Sequence, residues 1–160
     1  MKKEECATSK KYNVTGYATV KEMIHAEKLD AVSIATPDPY HFEPAKDAIE
    51  AGIKYLLIEK PLATTIEECE EILRLAEKHN VKISVDFHKR WDPAYNCIKD
   101  EIQKDKEKVI RGYMALDDII DVPKKWFTWT DKSSPAWFLG VHCYDLIRLH
   151  YRKRSRKGLC

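Results

Sequence analysis

Three short apolar segments recur along the chain at similar intervals, and this spacing constrains the fold more than any other feature. The first two are almost continuously hydrophobic, as strands covered on both faces tend to be. Helical patterns at 41–51 and 66–80 separate the three segments. An alternation of strand and helix implies parallel strands joined by right-handed crossovers, and therefore a doubly wound α/β sheet. The predicted strands are Ala31–Ala35, Tyr55–Ile58 and Val81–Val85.

Local signals predict where the helices begin and end. In the second of these helical segments, apolar side chains fall on one face at helical spacing. Thr64, with Glu67 three residues later, predicts a capping box at its start, and Asn80 predicts its end. Gly52 closes the first segment, and a shorter helix is predicted over Thr19–Glu27, directly before the first strand.

The rhythm changes after Pro93, where we predict a domain boundary. Beyond it the pattern favours a helix over Ala94–Lys104, a strand over Val109–Asp117, an aromatic-rich loop and a helix over Val141–Tyr151. The predicted organisation is a partial α/β domain at 1–93, the beginning of an α+β domain at 94–147, and a basic tail at 148–160.

The positive charge of the chain is concentrated at its end. The 160 residues include 28 basic and 26 acidic side chains, a formal net charge of +2. Six of the basic residues and none of the acidic ones follow residue 147, so the body before them has a net charge of −4. The body therefore offers no basic face, and the tail has no base-reading pattern beside its charges. We predict no nucleic-acid partner.

Composition and cysteine spacing exclude several other classes. With 44% apolar and 34% charged residues, the chain is globular rather than disordered. No apolar stretch approaches the ~20 residues that span a bilayer, and none follows the N-terminal lysines as in a signal peptide. The five cysteines are widely spaced without a C-x-x-C pair, which favours reduced thiols over disulfides or structural zinc. We predict a cytoplasmic protein with no metal and no membrane partner.

Polar clusters stand at the predicted end of each strand and at the start of the last helix. Ligands of open parallel sheets bind beyond the carboxyl ends of the strands, so these clusters contain the candidate site residues. The clusters are Thr36–His41, Glu59–Pro61, Asp86–Pro93 and Gly140–Asp145.

These four motifs, in this order, resemble those of the Gfo/Idh/MocA oxidoreductases, the group of glucose–fructose oxidoreductase and inositol dehydrogenase. The resemblance runs from about Tyr17 to Leu149. It implies a Rossmann domain that binds NAD or NADP. It also implies a second α/β domain with an open sheet, which carries a sugar, polyol or related hydroxy compound. The implied reaction is hydride transfer between the nicotinamide and that substrate.

Lys60 is the sharpest single candidate for catalysis. The proline after it disfavours helical angles and tolerates a cis bond, so the side chain can point into a cleft. An ammonium there would stabilise a developing alkoxide, and partial desolvation would lower its pKa. The resemblance places the matching lysine near both the reacting carbon and the nicotinamide, which makes Lys60 a cofactor-side residue as well. The alternative is a solvated lysine after a strand.

His142 is the candidate general acid/base, because an imidazole exchanges protons near neutral pH. Asp145 lies three residues further on, on the same helix face, and is predicted to orient it. The alternative is a histidine that packs or caps the helix. Many members of the family carry an aspartate four residues before this histidine, where this chain has Phe138. That departure puts the proton route, or the activity itself, in question.

Six residues match cofactor-side positions of the family, from the loop that approaches the dinucleotide to an arginine–aromatic pair near the nicotinamide. Other roles stay open for some of the residues in these motifs. Thr36 and Asp38 would alternatively cap the following helix, and Trp91 would alternatively belong to the core. The six are Thr36, Pro37, His41, Glu59, Arg90 and Trp91.

Aromatic residues concentrate between positions 126 and 138. One interpretation is a wall on which a sugar stacks. The commoner one is packing of the second domain or of an oligomer face, which adds a homo-oligomer to the expected partners. The residues are Trp126, Phe127, Trp129, Trp137 and Phe138.

The dinucleotide fingerprint G-x-G-x-x-G does not occur among the five glycines of this sequence. The start of the chain resembles the region after the family's second strand. We therefore expect the first βα unit, the second strand and most of the substrate-domain sheet to be missing. The strand at Ala31–Ala35 would then be an uncovered edge that favours association. We expect an incomplete chain that binds NAD(P)(H) weakly and is inactive, or alternatively a non-catalytic module that acts by protein association.

Overall fold

The computed structural model describes residues 7–104 and 110–151, which fall into two compact units. The division lies between Val85 and Asp86, a few residues before the boundary that the sequence places near Pro93. The described residues end at Tyr151, so most of the basic tail lies outside them.

The first unit is built on a three-stranded parallel sheet, which confirms the predicted α/β fold. Its strands β1 (Ala31–Ile34), β2 (Tyr55–Glu59) and β3 (Lys82–Asp86) lie side by side in that order. β1 and β2 pair in parallel, and their pairing ends with Ile34 opposite Ile58. β1 is therefore an edge strand of the described sheet, as expected from the sequence.

Four helices belong to the first unit: α1 (Ala7–Tyr12), α2 (Val20–Glu27), α3 (Phe42–Glu50) and α4 (Ile66–His79). α3 lies against α2, α4 and the first two strands. The core forms between these helices and the sheet, and its completely buried side chains include Ile49, Leu56, Ile58 and Ile72.

Side chains of β2 alternate between buried and exposed within the described residues. Leu56 and Ile58 are buried, while Tyr55 and Leu57 are 51% and 41% exposed. The sequence predicts strands covered on both faces, because four successive positions of β2 are hydrophobic. That expectation is wrong for the residues described, since only one set of these side chains packs against the helices.

Thr65 and Asn80 set the ends of α4. Thr65, rather than the predicted Thr64, is the N-cap: its side-chain oxygen accepts a hydrogen bond from the backbone N–H of Glu68 at 3.2 Å. The predicted capping box is therefore one residue out of frame, because the first helical residue is Ile66. Asn80 ends the helix in the left-handed conformation, with φ of 55°, as predicted.

The second unit consists of helices and turns in its described part. α5 (Pro93–Lys104) packs against α6 (Val141–Tyr151), and both confirm predicted helices. A short 3-10 turn at His88–Trp91 precedes α5. π-helical turns at Val122–Trp126 and Ala136–Gly140 precede α6, and the second of them leads directly into it.

The strand predicted over Val109–Asp117 is not formed at the positions described. Residues 110–119 have no regular secondary structure, and Val109 lies outside the described range. Ile110 and Tyr113 are 99% and 91% exposed. An alternating pattern predicts which side chains would share a face, but a strand also needs a neighbour for its backbone groups. The described part of this unit contains no other strand to pair with.

Three of the clustered aromatic residues pack together inside the second unit. Phe127 stacks on Trp129, with ring centroids 4.3 Å apart, and Phe138 meets both rings at a steep angle. Trp129 is buried, whereas Trp126 is largely exposed. These contacts support packing, the commoner of the two interpretations, as the role of the three residues in contact.

The described residues contain neither a membrane-spanning helix nor a cluster of metal ligands. No helix found there combines the length and the apolar character needed to cross a membrane. No group of three or more histidine, cysteine or carboxylate side chains in that part of the chain is arranged around a common metal position. Cys69, Cys97 and Cys143 are free thiols.

Candidate active site

The turn that follows β1 is closed by its own hydrogen bonds. The Thr36 hydroxyl donates to the carbonyl oxygen of Tyr40 at 2.9 Å, and the Tyr40 N–H donates to the carbonyl of Pro37 at the same distance. Thr36 and Pro37 are exposed, as a cofactor contact requires. Neither Thr36 nor Asp38 caps α3, whose N-cap is His41 and lacks a side-chain hydrogen bond. The capping alternative is therefore wrong.

Lys60 is buried at the end of β2. The residue is 8% exposed, and its Nζ lies 3.8 Å from Oδ1 of Asp38, which is buried as well. Burial lowers the pKa of Lys60, and the negative charges of Asp38 and Glu59 oppose that shift. The bond between Lys60 and Pro61 is cis. A solvated lysine, the alternative drawn from the sequence, does not describe this side chain.

A desolvated ammonium of this kind has two chemical uses. It donates a strong hydrogen bond to an oxygen that gains negative charge, because little water competes in its surroundings. It also releases and regains a proton more readily than an exposed lysine does, because its pKa is lowered. These two uses suit a reaction in which a hydroxyl group loses its proton and its oxygen gains negative charge.

His41 is almost completely buried, and its ring lies between two backbone carbonyls. Nδ1 is 2.6 Å from the carbonyl oxygen of Pro61, and Nε2 is 2.8 Å from that of Thr36. The sequence assigns His41 to the cofactor side. In the structure, each ring nitrogen faces a backbone carbonyl oxygen in one of the two turns that follow β1 and β2.

His142 occupies the second position of α6 and is 4% exposed. Its ring meets that of His88 at a centroid distance of 4.9 Å and an angle of 71°, and meets Phe87 at 6.4 Å and 82°. His88 itself is exposed. His142 is thus a packed histidine whose neighbour reaches solvent, which is compatible with a proton-exchanging role and with the packing alternative.

Asp145 forms a two-pronged ion pair with Arg90 in the second unit. Nε of Arg90 donates to Oδ2 at 2.7 Å, and the Nη2 group of Arg90 donates to Oδ1. The hydrogen bonds that Arg90 donates to Asp145 raise the pKa of Arg90, whose guanidinium also lies over the ring of Phe87. The sequence predicts that Asp145 orients His142, whereas both of its oxygens accept from Arg90.

The remaining cofactor-side residues differ in exposure. Glu59 is half-buried beside Lys60, and Trp91 is 81% exposed, so Trp91 is not a core residue. Sequence reasoning missed Asp38 as the partner of Lys60 and Arg90 as the partner of Asp145. Motif spacing signals which residues stand at strand ends, but not which of them meet.

Comparison with known proteins agrees with this fold. The family model described as an oxidoreductase family with an NAD-binding Rossmann fold matches residues 1–87, more than half of the chain. The chain belongs to the Gfo/Idh/MocA oxidoreductase family. The resemblance to this family is thus confirmed, and the first unit has a Rossmann-like α/β fold.

Individual relatives of this Gfo/Idh/MocA chain include several oxidoreductases. It is 35% identical over 82% of its length to an oxidoreductase from Synechocystis. It is 34% identical over 62% of its length to an inositol 2-dehydrogenase/D-chiro-inositol 3-dehydrogenase from Halalkalibacterium halodurans. The solved structure of myo-inositol 2-dehydrogenase from Lactobacillus plantarum matches 90% of the chain at 30% identity, with a TM-score of 0.75. The chain spans 37%, 28% and 44% of these three proteins, respectively.

The charges around Lys60 predict how its pKa responds to substitution. Of the two carboxylates that raise the pKa of Lys60, Asp38 has the stronger effect, so we expect Asp38→Asn to lower that pKa further. Glu59→Gln is expected to lower it less. The titration of Lys60 is followed by the NMR shifts of its Cε and Nζ. A rise in the pKa of Lys60 in Asp38→Asn, or a larger fall in Glu59→Gln, would contradict this arrangement of charges around Lys60.

The ion pair of Arg90 with Asp145 predicts a stability effect confined to the second unit. Arg90→Met leaves the buried Asp145 carboxylate without its two hydrogen-bond donors, and we expect the free energy of unfolding to fall by about 2 kcal/mol. Lys104→Met is the control, because its ion pair with Glu101 is exposed and its loss should change little. All four tryptophans lie in this unit, so tryptophan fluorescence during urea unfolding reports on it selectively. Equal losses of unfolding free energy in the two variants would contradict a stabilising role of the pair of Arg90 and Asp145.

Proposed function

We propose that this chain contributes active-site residues to an NAD(P)-dependent dehydrogenation of an inositol-type polyol. The reaction is an oxidation at a CH–OH group. One observation carries the proposal. Lys60 is buried at the carboxyl end of a parallel strand, beside Asp38, where ligands of such sheets bind. The names of the Halalkalibacterium and Lactobacillus relatives supply the substrate class.

The residues at the strand ends fit the nicotinamide end of a dinucleotide. Thr36 and Pro37 are exposed beyond β1, and Glu59 is partly accessible at the end of β2, where a ribose would lie. When bound, NAD(P) accepts the hydride. The phosphates need a glycine-rich turn at a helix N-terminus, and these 160 residues contain no such motif. Contacts with the phosphates would therefore have to come from other residues.

Each unit contains one candidate for the chemistry at a substrate hydroxyl, Lys60 in the first unit and His142 in the second. As hydride leaves the carbon, the hydroxyl must lose its proton, and the imidazole of His142 is a suitable acceptor. Considered within its own unit, the Lys60 ammonium would donate a hydrogen bond to a substrate oxygen and stabilise negative charge that develops on it. Arg90 holds Asp145 one turn after His142 on α6, which fixes the helix that carries the base.

A chimera tests this assignment in a setting where the cofactor has its full site. Residues 17–149 replace the matching segment of the Lactobacillus plantarum enzyme, and reduction of NAD⁺ by myo-inositol is followed by absorbance. We expect Lys60→Met and His142→Gln to lower kcat/KM by about 100-fold or more. Lys54→Met and His79→Gln are matched controls at exposed positions and should leave it unchanged. Retained activity in Lys60→Met would exclude Lys60 from the chemistry.

A non-catalytic module is the second candidate, and Phe138 favours it. Where many family members have an aspartate, this side chain packs on Phe127 and Trp129. The carboxylate that would complete the Asp-x-x-x-His pair is therefore replaced by an apolar contact. A chimera that folds and binds NADH, yet transfers no hydride, would support the module and reject the enzyme.

Cofactor affinity of the 160-residue chain is a separate expectation. We expect NADH to bind weakly, because the chain lacks the glycine-rich motif that binds pyrophosphate. Isothermal titration measures this directly, with the Lactobacillus plantarum enzyme as the positive control. A dissociation constant in the low micromolar range would show that the residues present suffice for binding.

A further inference from the structure

The ring of His41 joins two turns that no strand pairing reaches. The pairing of β1 with β2 ends at Ile34 and Ile58, and the chain then turns away from each strand. Thr36 and Pro61 lie beyond that last pair, and their carbonyl oxygens are the two groups that face Nε2 and Nδ1 of His41. A side chain from the start of α3 thus connects the backbone after β1 with the backbone after β2.

The same two turns carry the buried charge pair. Thr36 stands two residues before Asp38, and Pro61 directly follows Lys60. The two turns are therefore connected twice, by the ring of His41 and by the Lys60 and Asp38 side chains, whose charged atoms are 3.8 Å apart. The ring is 1% exposed, so water cannot readily replace it between the carbonyls.

Hydrogen-bond chemistry makes histidine well suited to this position. Both carbonyls only accept hydrogen bonds, and imidazole carries nitrogens on two sides of one rigid ring. A neutral ring donates to one of them and a protonated ring to both. His41 is the N-cap of α3, yet its side chain makes no capping hydrogen bond, so the ring is reserved for the connection between the turns.

We propose that His41 is a positioning residue for Lys60: by holding the carbonyls of Thr36 and Pro61 it keeps the two turns together and the Lys60 ammonium buried beside Asp38. The functional meaning of this connection rests on the proposed role of Lys60 in hydride transfer. His41 itself acts through the backbone rather than by touching cofactor or substrate.

If His41 has this role, the pKa of Lys60 depends on it measurably. Without the connection, the turns can separate and water can reach the ammonium. Since burial is the main cause of the lowered pKa of Lys60, hydration would return that pKa towards its ordinary value. The direction is opposite to that expected for Asp38→Asn, so the two effects cannot be confused.

The test uses the 160-residue chain with labelled lysine and follows the NMR titration of Lys60. His41→Phe keeps a ring of similar size but removes the ring nitrogens that face the two carbonyls, and we expect the pKa of Lys60 to rise. His41→Gln keeps an amide donor and should give a smaller rise. Ile49→Ala is the matched control, because it destabilises the same helix through a completely buried side chain away from the bridge.

Each result decides the proposal. A rise in His41→Phe, a smaller rise in His41→Gln and no change in Ile49→Ala would establish the positioning role. If the pKa of Lys60 is unchanged in both His41 variants, or rises equally in Ile49→Ala, the proposal is overturned. If His41→Phe does not fold, the comparison of His41→Gln with Ile49→Ala gives the same decision. No readout here depends on hydride transfer, so a negative result leaves the chimera experiment intact, and the reverse also holds.

Discussion

The parallel pairing of β1 with β2 is the constraint on which the candidate site in the first unit depends. Parallel strands end at the same edge of the sheet, so pairing Ile34 with Ile58 brings the turn at 36–41 next to the turn at 59–61. His41 and Pro61 are 20 positions apart in sequence, and α3 and β2 lie between them. Burial of Ile49, Leu56 and Ile58 holds that crossover in place, and the polar contacts of Lys60 and His41 follow from it.

The second unit is packed in a different way, because its described part contains no sheet. Aromatic stacking of Phe127, Trp129 and Phe138 and the contact between α5 and α6 supply its packing. The pair of Arg90 and Asp145 ties the turn after β3 to α6. His142 lies one turn before Asp145, so the ion pair and the packed imidazole belong to one stretch of helix.

Much of this arrangement is visible in the sequence because it depends on local patterns. The strands, the helices and the left-handed Asn80 follow from periodicity and from residue preferences at helix ends. The position of Thr65 as N-cap does not, because two adjacent threonines with glutamates three residues later offer the same signal in two frames. The strand expected at 109–117 fails for a related reason: alternation is local, whereas pairing requires a distant partner.

The contacts that define the site are less predictable, because they join residues whose proximity only the tertiary fold determines. Thr36, His41, Glu59 and Lys60 are recognisable as residues at strand ends. Nothing in their spacing indicates that Asp38 would meet Lys60, or that His41 would face the carbonyl of Pro61. Likewise Asp145 is placed correctly on α6, but its partner lies 55 residues earlier in the chain.

Energetics distinguish the two charged pairs as indicators of function. Arg90 is about half exposed, so water screens its pair with Asp145, and a structural role is enough to explain it. Lys60 and Asp38 are both nearly enclosed and 3.8 Å apart, a distance too long for a strong hydrogen bond. Packed apolar residues would stabilise such a position as well or better. A buried pair that folding alone does not favour, and that His41 nevertheless holds in place, is the arrangement expected where charge has a chemical use.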